Sequence, residues 1–383
     1  MTVTHIHIFK KMVKKIYIWQ GKVFFVCLCL MSAINQKFSD AARRWRELSE
    51  NIDQAERERL APIVIAEVNQ LLGEFGINRN KKNAPFNPSI LQHLTEKGVA
   101  ELGALLRPQQ TLDIKVHLQS CPTYGAHVAA QSNGLALESN SSEFACYRLP
   151  DIVATPHVIE IANDPALISL AEQYLGCVPT IYSLNIWWSR PARDEGTRTT
   201  QSFHRDIDDY KFLSLFIYLS DVTMETGPHQ YAIGTHTEEG LAKILAQSLN
   251  LRDTGELKKI QQSHEFKKVL ANLNRGQSDL APKHAESIIG DNYKSYIGPA
   301  GTGLIISPAG FHKGLTPRSG SRLMLWVRYG THENSAVIKD RTKAVEVANW
   351  QTRVPDTPKN RYMNRLILNP EGQNYDRRQI TRP

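Results

Sequence analysis

Two histidines and an aspartate carry most of the chemistry that can be read from this chain. In the segment SFHRD, His204 and Asp206 stand two residues apart. On an extended strand, residues i and i+2 project from one face, so both side chains can reach the same ion. A His-x-acid pair is weak by itself, and two decoys share it: His236 with Glu238, and His284 with Glu286. His236 follows a Gly-Thr turn and opens a helical stretch, where i and i+2 diverge by about 200°. His284 sits in a polar connector, APKHAES. Only His204 and Asp206 lie between two strand-like runs, TIYSLNIWWS and KFLSLFIYLSDV. A third ligand is available in His312, which follows the run GLIISP beside a glycine-containing turn. Two histidines and one carboxylate on one face leave coordination positions open, the arrangement used by non-haem Fe(II) oxygenases. Arg322, ten residues after His312, opens the run SRLMLWVRYG. A guanidinium there supplies the two-pronged partner that a dicarboxylate cosubstrate needs.

These residues need elements to hold them. From Ser39 to about Gly76 the apolar spacing is helical, with Pro62 expected in the first turn of IVIAEVNQLLGEF. LQHLTEKGVAELGALL leads to Pro108, which opens a helix through LDIKVHLQS. NDPALISLAEQYLG carries a full set of helix punctuation: an Asn163 or Asp164 cap, Pro165 at the start and Gly176 at the close. After Pro179 the texture changes to β-branched and aromatic runs separated by Gly, Pro and Asp turns. Strands without regular helices between them predict a sandwich or barrel rather than a βαβ sheet. Residues 237–295, with mixed charge and helical pattern, read as an insertion between two strands, either a lid or a subunit contact.

Composition narrows the class. The chain has 383 residues, 41% hydrophobic and 22% charged, which excludes fibrous and wholly disordered proteins. Five cysteines without a C-x-x-C pair argue against a disulfide scaffold and a structural zinc site, and fit a reducing, cytoplasmic setting. The net charge of +8 falls to +3 once Lys10, Lys11, Lys14, Lys15 and Lys22 are set aside. No basic stripe interleaves with aromatics, so nucleic acid is not an expected partner. Residues 1–36 stand apart: a basic stretch leads to an apolar run, Val23 to Ile34, too short to span a bilayer. They read either as a leader or membrane-surface anchor, or as an extension ahead of a start at Met31. Any membrane association is expected through residues 1–34 alone.

From about Gly98 to about Gly330 the chain resembles the phytanoyl-CoA dioxygenase family of Fe(II)/2-oxoglutarate oxygenases. The resemblance rests on NDPALISLAEQYLG, SFHRDIDD, FIYLSDVTMETGPHQYAIGTH and GPAGTGLIISPAGFHKGLTPRSGSRL. The fold it implies is an α+β chain with a mainly-β core. That core is a double-stranded β-helix (jelly roll, cupin-like) with flanking N-terminal helices and a helical insertion. The expected organisation is residues 1–36 as the uncertain front, 37–97 as N-terminal helices, 98–335 as the oxygenase domain and 336–383 as an extension packing on the core. By the resemblance, His204, Asp206 and His312 are the catalytic iron ligands and Arg322 grips the far carboxylate of 2-oxoglutarate. Asn185 matches a position where some relatives contact 2-oxoglutarate through an amide.

Two departures stand out. Phe216 occupies a position where relatives often carry Trp, and Gly314 stands where a hydroxyl often helps bind the cosubstrate, a role left to Thr316 or Ser321. Because the carboxylate Asp206 is present, the resemblance implies hydroxylation rather than halogenation. O2 is consumed, succinate and CO2 are released, and ascorbate is a candidate reductant. The expected substrate is a small or lipid-like molecule. The competing expectation is a cupin-like isomerase or binding protein that keeps a metal without oxidising anything.

Other residues carry weaker expectations. Arg205 should point away from the ligands, Trp187 and Trp188 should face opposite sides of their strand, and His229 could face the pocket or serve the fold.

Overall fold

The computed structural model describes residues 41–45, 54–79, 88–125, 133–191, 202–248, 289–332, 345–346 and 352–369, with isolated positions 47, 52 and 286. The front of the chain and most of the insertion, read above as a leader or extension and as a helical lid or contact, lie outside the described residues.

Residues 41–45 are helical, and the helix after them, α1 (Gln54–Gly73), starts eight residues before Pro62, so the proline sits inside it and not in its first turn. It buries Arg57, Ala61, Val64, Val68 and Leu72, a three-to-four-residue spacing that makes one apolar stripe. Helix α2 (Pro88–Lys97) ends at Gly98, whose φ of +77° only glycine adopts without strain. The next residues, β1 (Val99–Ala104), form an edge strand. Then come α3 (Pro108–Gln119), the short β2 (Tyr124–Gly125) and β3 (Phe144–Cys146), α4 (Leu149–Ala154) and α5 (Val158–Ala162). Helix α6 (Pro165–Leu175) starts where its sequence says: the Asp164 carboxylate accepts from the Ala166 and Leu167 amides, and Gly176 closes it at φ +86°.

The β-rich half follows with β4 (Thr180–Ser189), β5 (Phe212–Tyr218), β6 (His229–Ala232), α7 (Glu238–Ser248), β7 (Tyr293–Tyr296), β8 (Thr302–Ile306), β9 (His312–Gly314) and β10 (Arg322–Gly330). Beyond them lie β11 (Val345–Glu346), α8 (Pro358–Asn364) and β12 (Leu368–Asn369). Tyr293 thus begins a strand inside the stretch read as a helical insertion.

Seven strands form one antiparallel sheet in the order β1-β8-β5-β10-β4-β3-β2, and a second, three-stranded sheet runs β7-β6-β9. Alternation along β10 and β5 sorts the side chains. Leu323, Leu325, Val327 and Tyr329, with Leu213, Leu215 and Ile217, pack among the helices in the main core. The opposite face sends Phe216, Tyr218 and Met324 into a second cluster with Tyr231 and Tyr296 of the smaller sheet. Because both faces are covered, every residue of β5 is buried, which is why FLSLFIY reads as an almost unbroken apolar run. The Tyr218 hydroxyl crosses between the sheets, donating to the Tyr296 carbonyl at 2.6 Å. Tyr362, Met363, Ile367 and Leu368 near the C-terminal end join the main core. Among the described residues no helix is long and apolar enough to cross a membrane.

Candidate metal centre

His204 and His312 are brought together by backbone pairing. Each amide donates to the other's carbonyl at 3.0 Å, so His204 adds a rung to β9 on the side away from β6. The imidazoles meet with centroids 4.4 Å apart. Each Nδ1 lies 2.9 Å from a main-chain carbonyl, of Ser202 and Gly310 respectively. A carbonyl only accepts, so Nδ1 carries the proton and Nε2 keeps its lone pair for a metal. Burial, with His204 nearby and against the pull of Asp206, pushes His312 down to about 4, which keeps it neutral at physiological pH.

Asp206 completes the group. Its amide donates to the Pro308 carbonyl at 2.9 Å, which fixes the turn relative to β9. Its carboxylate oxygens lie 3.8 Å from His204 Nε2 and 3.9 Å from His312 Nε2. The two separations run to different oxygens, Oδ1 for His204 and Oδ2 for His312; ligands about 2.1 Å from one ion can be no more than about 4.2 Å apart, and each separation falls inside that limit. Burial raises the Asp206 carboxyl, but Arg328 and the two imidazoles outweigh it and hold the group below the ordinary carboxylate range. The cluster therefore sets two imidazoles and one carboxylate against one another, with His312 neutral. Of all the described His, Cys, Asp and Glu side chains, these are the ones grouped closely enough to hold a metal.

Arg322 lies deeper. It is 3% exposed, and its guanidinium donates over 3.3 Å to the Ser189 hydroxyl and 3.5 Å to the Leu315 carbonyl. Its Nε has no partner, and among the described residues no carboxylate pairs with it. Burial pulls its pKa down to about 10. A buried cation without an anion is costly, and such a group points to a ligand that supplies the charge. Gly314 is adjacent: a Cβ there would stand 2.9 Å from Arg322 Nη2, so the glycine makes room for the guanidinium. Between them and His312 sits His229, 3% exposed, its ring stacked on His312 at 5.6 Å and near Phe216 at 4.7 Å. His229 Nε2 has no partner, so this histidine faces the interior between the sheets.

Asn185 stands opposite Trp326, four positions along β4 from the Ser189–Arg322 pair, and its amide donates to the Ser183 hydroxyl at 2.7 Å. Ser321 is half-buried just ahead of β10. Phe216 pairs in register with Trp326 and stacks on it at 5.9 Å, so the indole comes from the neighbouring strand. Arg205 turns to the Ala309 carbonyl and lies over the Phe311 ring. Trp187 joins the inner cluster and Trp188 the main core. His236 bonds the Thr95 carbonyl at 3.0 Å and ties the β6 turn to α2. Sequence reasoning missed Ser189, Asp208 and Arg328. The signal for Arg328 was the two-residue alternation that puts Arg322, Met324, Trp326 and Arg328 on one face of β10.

No protein-family model matches the chain, and no curated protein does. Among solved structures it is similar to the non-heme alpha-ketoglutarate-dependent carbocyclase SnoK from nogalamycin biosynthesis, at 13% identity over 65% of this chain and 87% of that one, with a TM-score of 0.38. A second is EctD from S. alaskensis with 2-oxoglutarate and 5-hydroxyectoine, at 15% identity over 66% and 79%, TM-score 0.40. A third is HygX from Streptomyces hygroscopicus with nickel and 2-oxoglutarate bound, at 13% identity over 68% and 91%, TM-score 0.40.

Proposed function

We propose that this chain is an Fe(II)- and 2-oxoglutarate-dependent oxygenase that hydroxylates a small or lipid-like molecule, on a double-stranded β-helix of the phytanoyl-CoA dioxygenase kind. The observation that carries the reading is the pairing of two features in one interior. His204, Asp206 and His312 bring their candidate ligand atoms within 4.8 Å of one another, and a buried Arg322 stands near them without a carboxylate.

His204, Asp206 and His312 would hold the ion, and Arg322 would take the far carboxylate of the cosubstrate through its fork of donors. The Ser189 hydroxyl orients that guanidinium, and Gly314 leaves the space in front of it. The Ser202 and Gly310 carbonyls hold both imidazoles in the ligating tautomer. Phe216, Trp326 and Met324 line the interior and exclude water from it. Bound Fe(II) with 2-oxoglutarate and O2 supplies the oxidising chemistry, with release of succinate and CO2.

The test is anaerobic titration of the purified protein with Fe(II) and then 2-oxoglutarate, following the visible charge-transfer band of the chelate. The band is expected in the parent, absent in Asp206→Ala and weakened in Arg322→Ala. Metal binding without a band overturns the oxygenase reading. So does a His312→Ala variant that consumes 2-oxoglutarate at the parent rate.

A further inference from the structure

Arg328 lies six residues after Arg322 on the same face of β10, and its surroundings are the reverse. One guanidinium bridges two carboxylates: Nη2 donates to Asp206 Oδ2 at 2.6 Å, and Nη1 pairs with Asp208. The fork is held from a third side by stacking, with Cζ 3.6 Å from the Trp326 ring centroid. Asp208 is anchored in turn by the Tyr182 hydroxyl at 3.3 Å. In both directions across the sheet Arg328 is paired in register with a serine, Ser183 on β4 and Ser214 on β5. These small neighbours leave the width that a flat guanidinium needs above the sheet.

The arrangement has a consequence for the ligand. A carboxylate has two equivalent oxygens and one free torsion, so an unrestrained Asp206 can present either oxygen, or both, to an ion. Arg328 takes Oδ2, and the Asp208–Trp326 support keeps the guanidinium from following the carboxylate if it turns. From this geometry we infer that Arg328 is a positioning residue. Supported by Asp208, it holds the Asp206 carboxylate in one orientation, so that a single oxygen serves the ion and coordination positions stay open. The inference rests on the metal-centre reading above and adds a determinant that the three ligands do not contain. A group that orients a metal ligand changes metal affinity typically by about ten- to a hundredfold when it is altered.

The test uses the full chain and Co(II), whose visible spectrum reports coordination number, with no turnover involved. Arg328→Lys keeps the charge and removes the fork, so a change in Co(II) affinity reads orientation and not net charge. The expected result is a Co(II) Kd raised by about ten- to a hundredfold, with an altered band shape in the saturated protein. Asp208→Asn, which leaves Arg328 in place but unties its far end, is expected to move both quantities in the same direction by a smaller factor. A purely structural role would lower the melting temperature and leave the spectrum of the saturated, folded protein unchanged. If either folded variant binds Co(II) within twofold of the parent and with a superimposable spectrum, the positioning role is overturned while the metal centre stands. If the parent itself binds no Co(II), the metal centre and the positioning role fall together.

Discussion

Arg322→Met separates what the arginine does for the fold from what it does for a ligand. The guanidinium is 3% exposed, its two polar contacts are long at 3.3 and 3.5 Å, and its Nε has no partner. Each buried polar group left unsatisfied costs about 1–3 kcal/mol, and an unpaired buried charge costs more. Methionine keeps most of the stem's volume, so the cavity left behind is small. The ligand-free variant is therefore expected to be as stable as the parent or more stable, by about 1–3 kcal/mol. At about 2 °C per kcal/mol for a domain of this size, the rise in Tm is about 2–6 °C. With 2-oxoglutarate at a hundred times its Kd, the parent gains about 2.7 kcal/mol, which at that same slope is about 5 °C; the variant gains nothing. The parent thus closes the gap by about 2.7 kcal/mol when ligand is added, and overtakes the variant except where the variant starts at the top of its range. Scanning calorimetry with Ni(II) in place of Fe(II), with and without 2-oxoglutarate, reads both effects without turnover. If Arg322→Met loses about 2 kcal/mol or more without ligand, the buried charge is compensated and the argument from its isolation is wrong. If 2-oxoglutarate stabilises both proteins equally, Arg322 is not its partner.

The histidines fix the acid limb of stability. Burial, with His204 nearby, holds His312 at about 4, and burial with His312 beside it holds His229 well below 6.5. The unfolded chain takes up these protons near pH 6.5 and the folded chain only well below it, near 4 for His312. The stabilisation is therefore complete above 6.5 and lost as pH falls toward 4. Urea midpoints across that window should fall with pH, and a His312→Gln variant should show a shallower slope; an unchanged slope refutes the assignment. Asp209, wholly buried, accepts from the Thr331 amide and hydroxyl and the Tyr210 amide, each at 2.6 Å, and pairs with His332 at 2.9 Å. Asp209→Ala should cost about 3–5 kcal/mol by orphaning those donors. Below its lowered Tm it should bind Co(II) with the parent's affinity, and a loss within 1 kcal/mol of zero counts against the network.

The parts of this molecule legible from sequence were those set by local rules. Helix α6 carries its cap, its proline and its closing glycine within one segment, and the structure uses all three. The grouping of His204, Asp206 and His312 was legible because strand alternation places i and i+2 together and because strong β runs flank the first pair. Strand β1 was hidden: VAELGA has helical composition, and its strand state comes from pairing with β8 some two hundred residues later. Helix α1 was misread at its start because Pro62 suggested a first turn, while Gln54, Arg57 and Ala61 extend the buried stripe upstream. The Gly314 departure became intelligible only with the guanidinium of Arg322 in place beside it. The role of Arg328 shows only in its contacts with Asp206 and Asp208, which the run SRLMLWVRYG does not carry by itself.

The two arginines of β10 also bear on what the interior can accept. Asp206 and Asp208 bring two formal negative charges, and Arg328 with Arg322 bring two positive ones, so the protein groups alone sum to zero. A divalent ion on His204, Asp206 and His312 would leave the interior at +2, in a place where unbalanced charge is costly. A neutral ligand does nothing for that imbalance, and a monoanion halves it. A dianion that reaches both the ion and Arg322 removes it. A dicarboxylic 2-oxo acid spanning ion and guanidinium would give the buried cation its missing partner and add two donors to the three that the protein would supply.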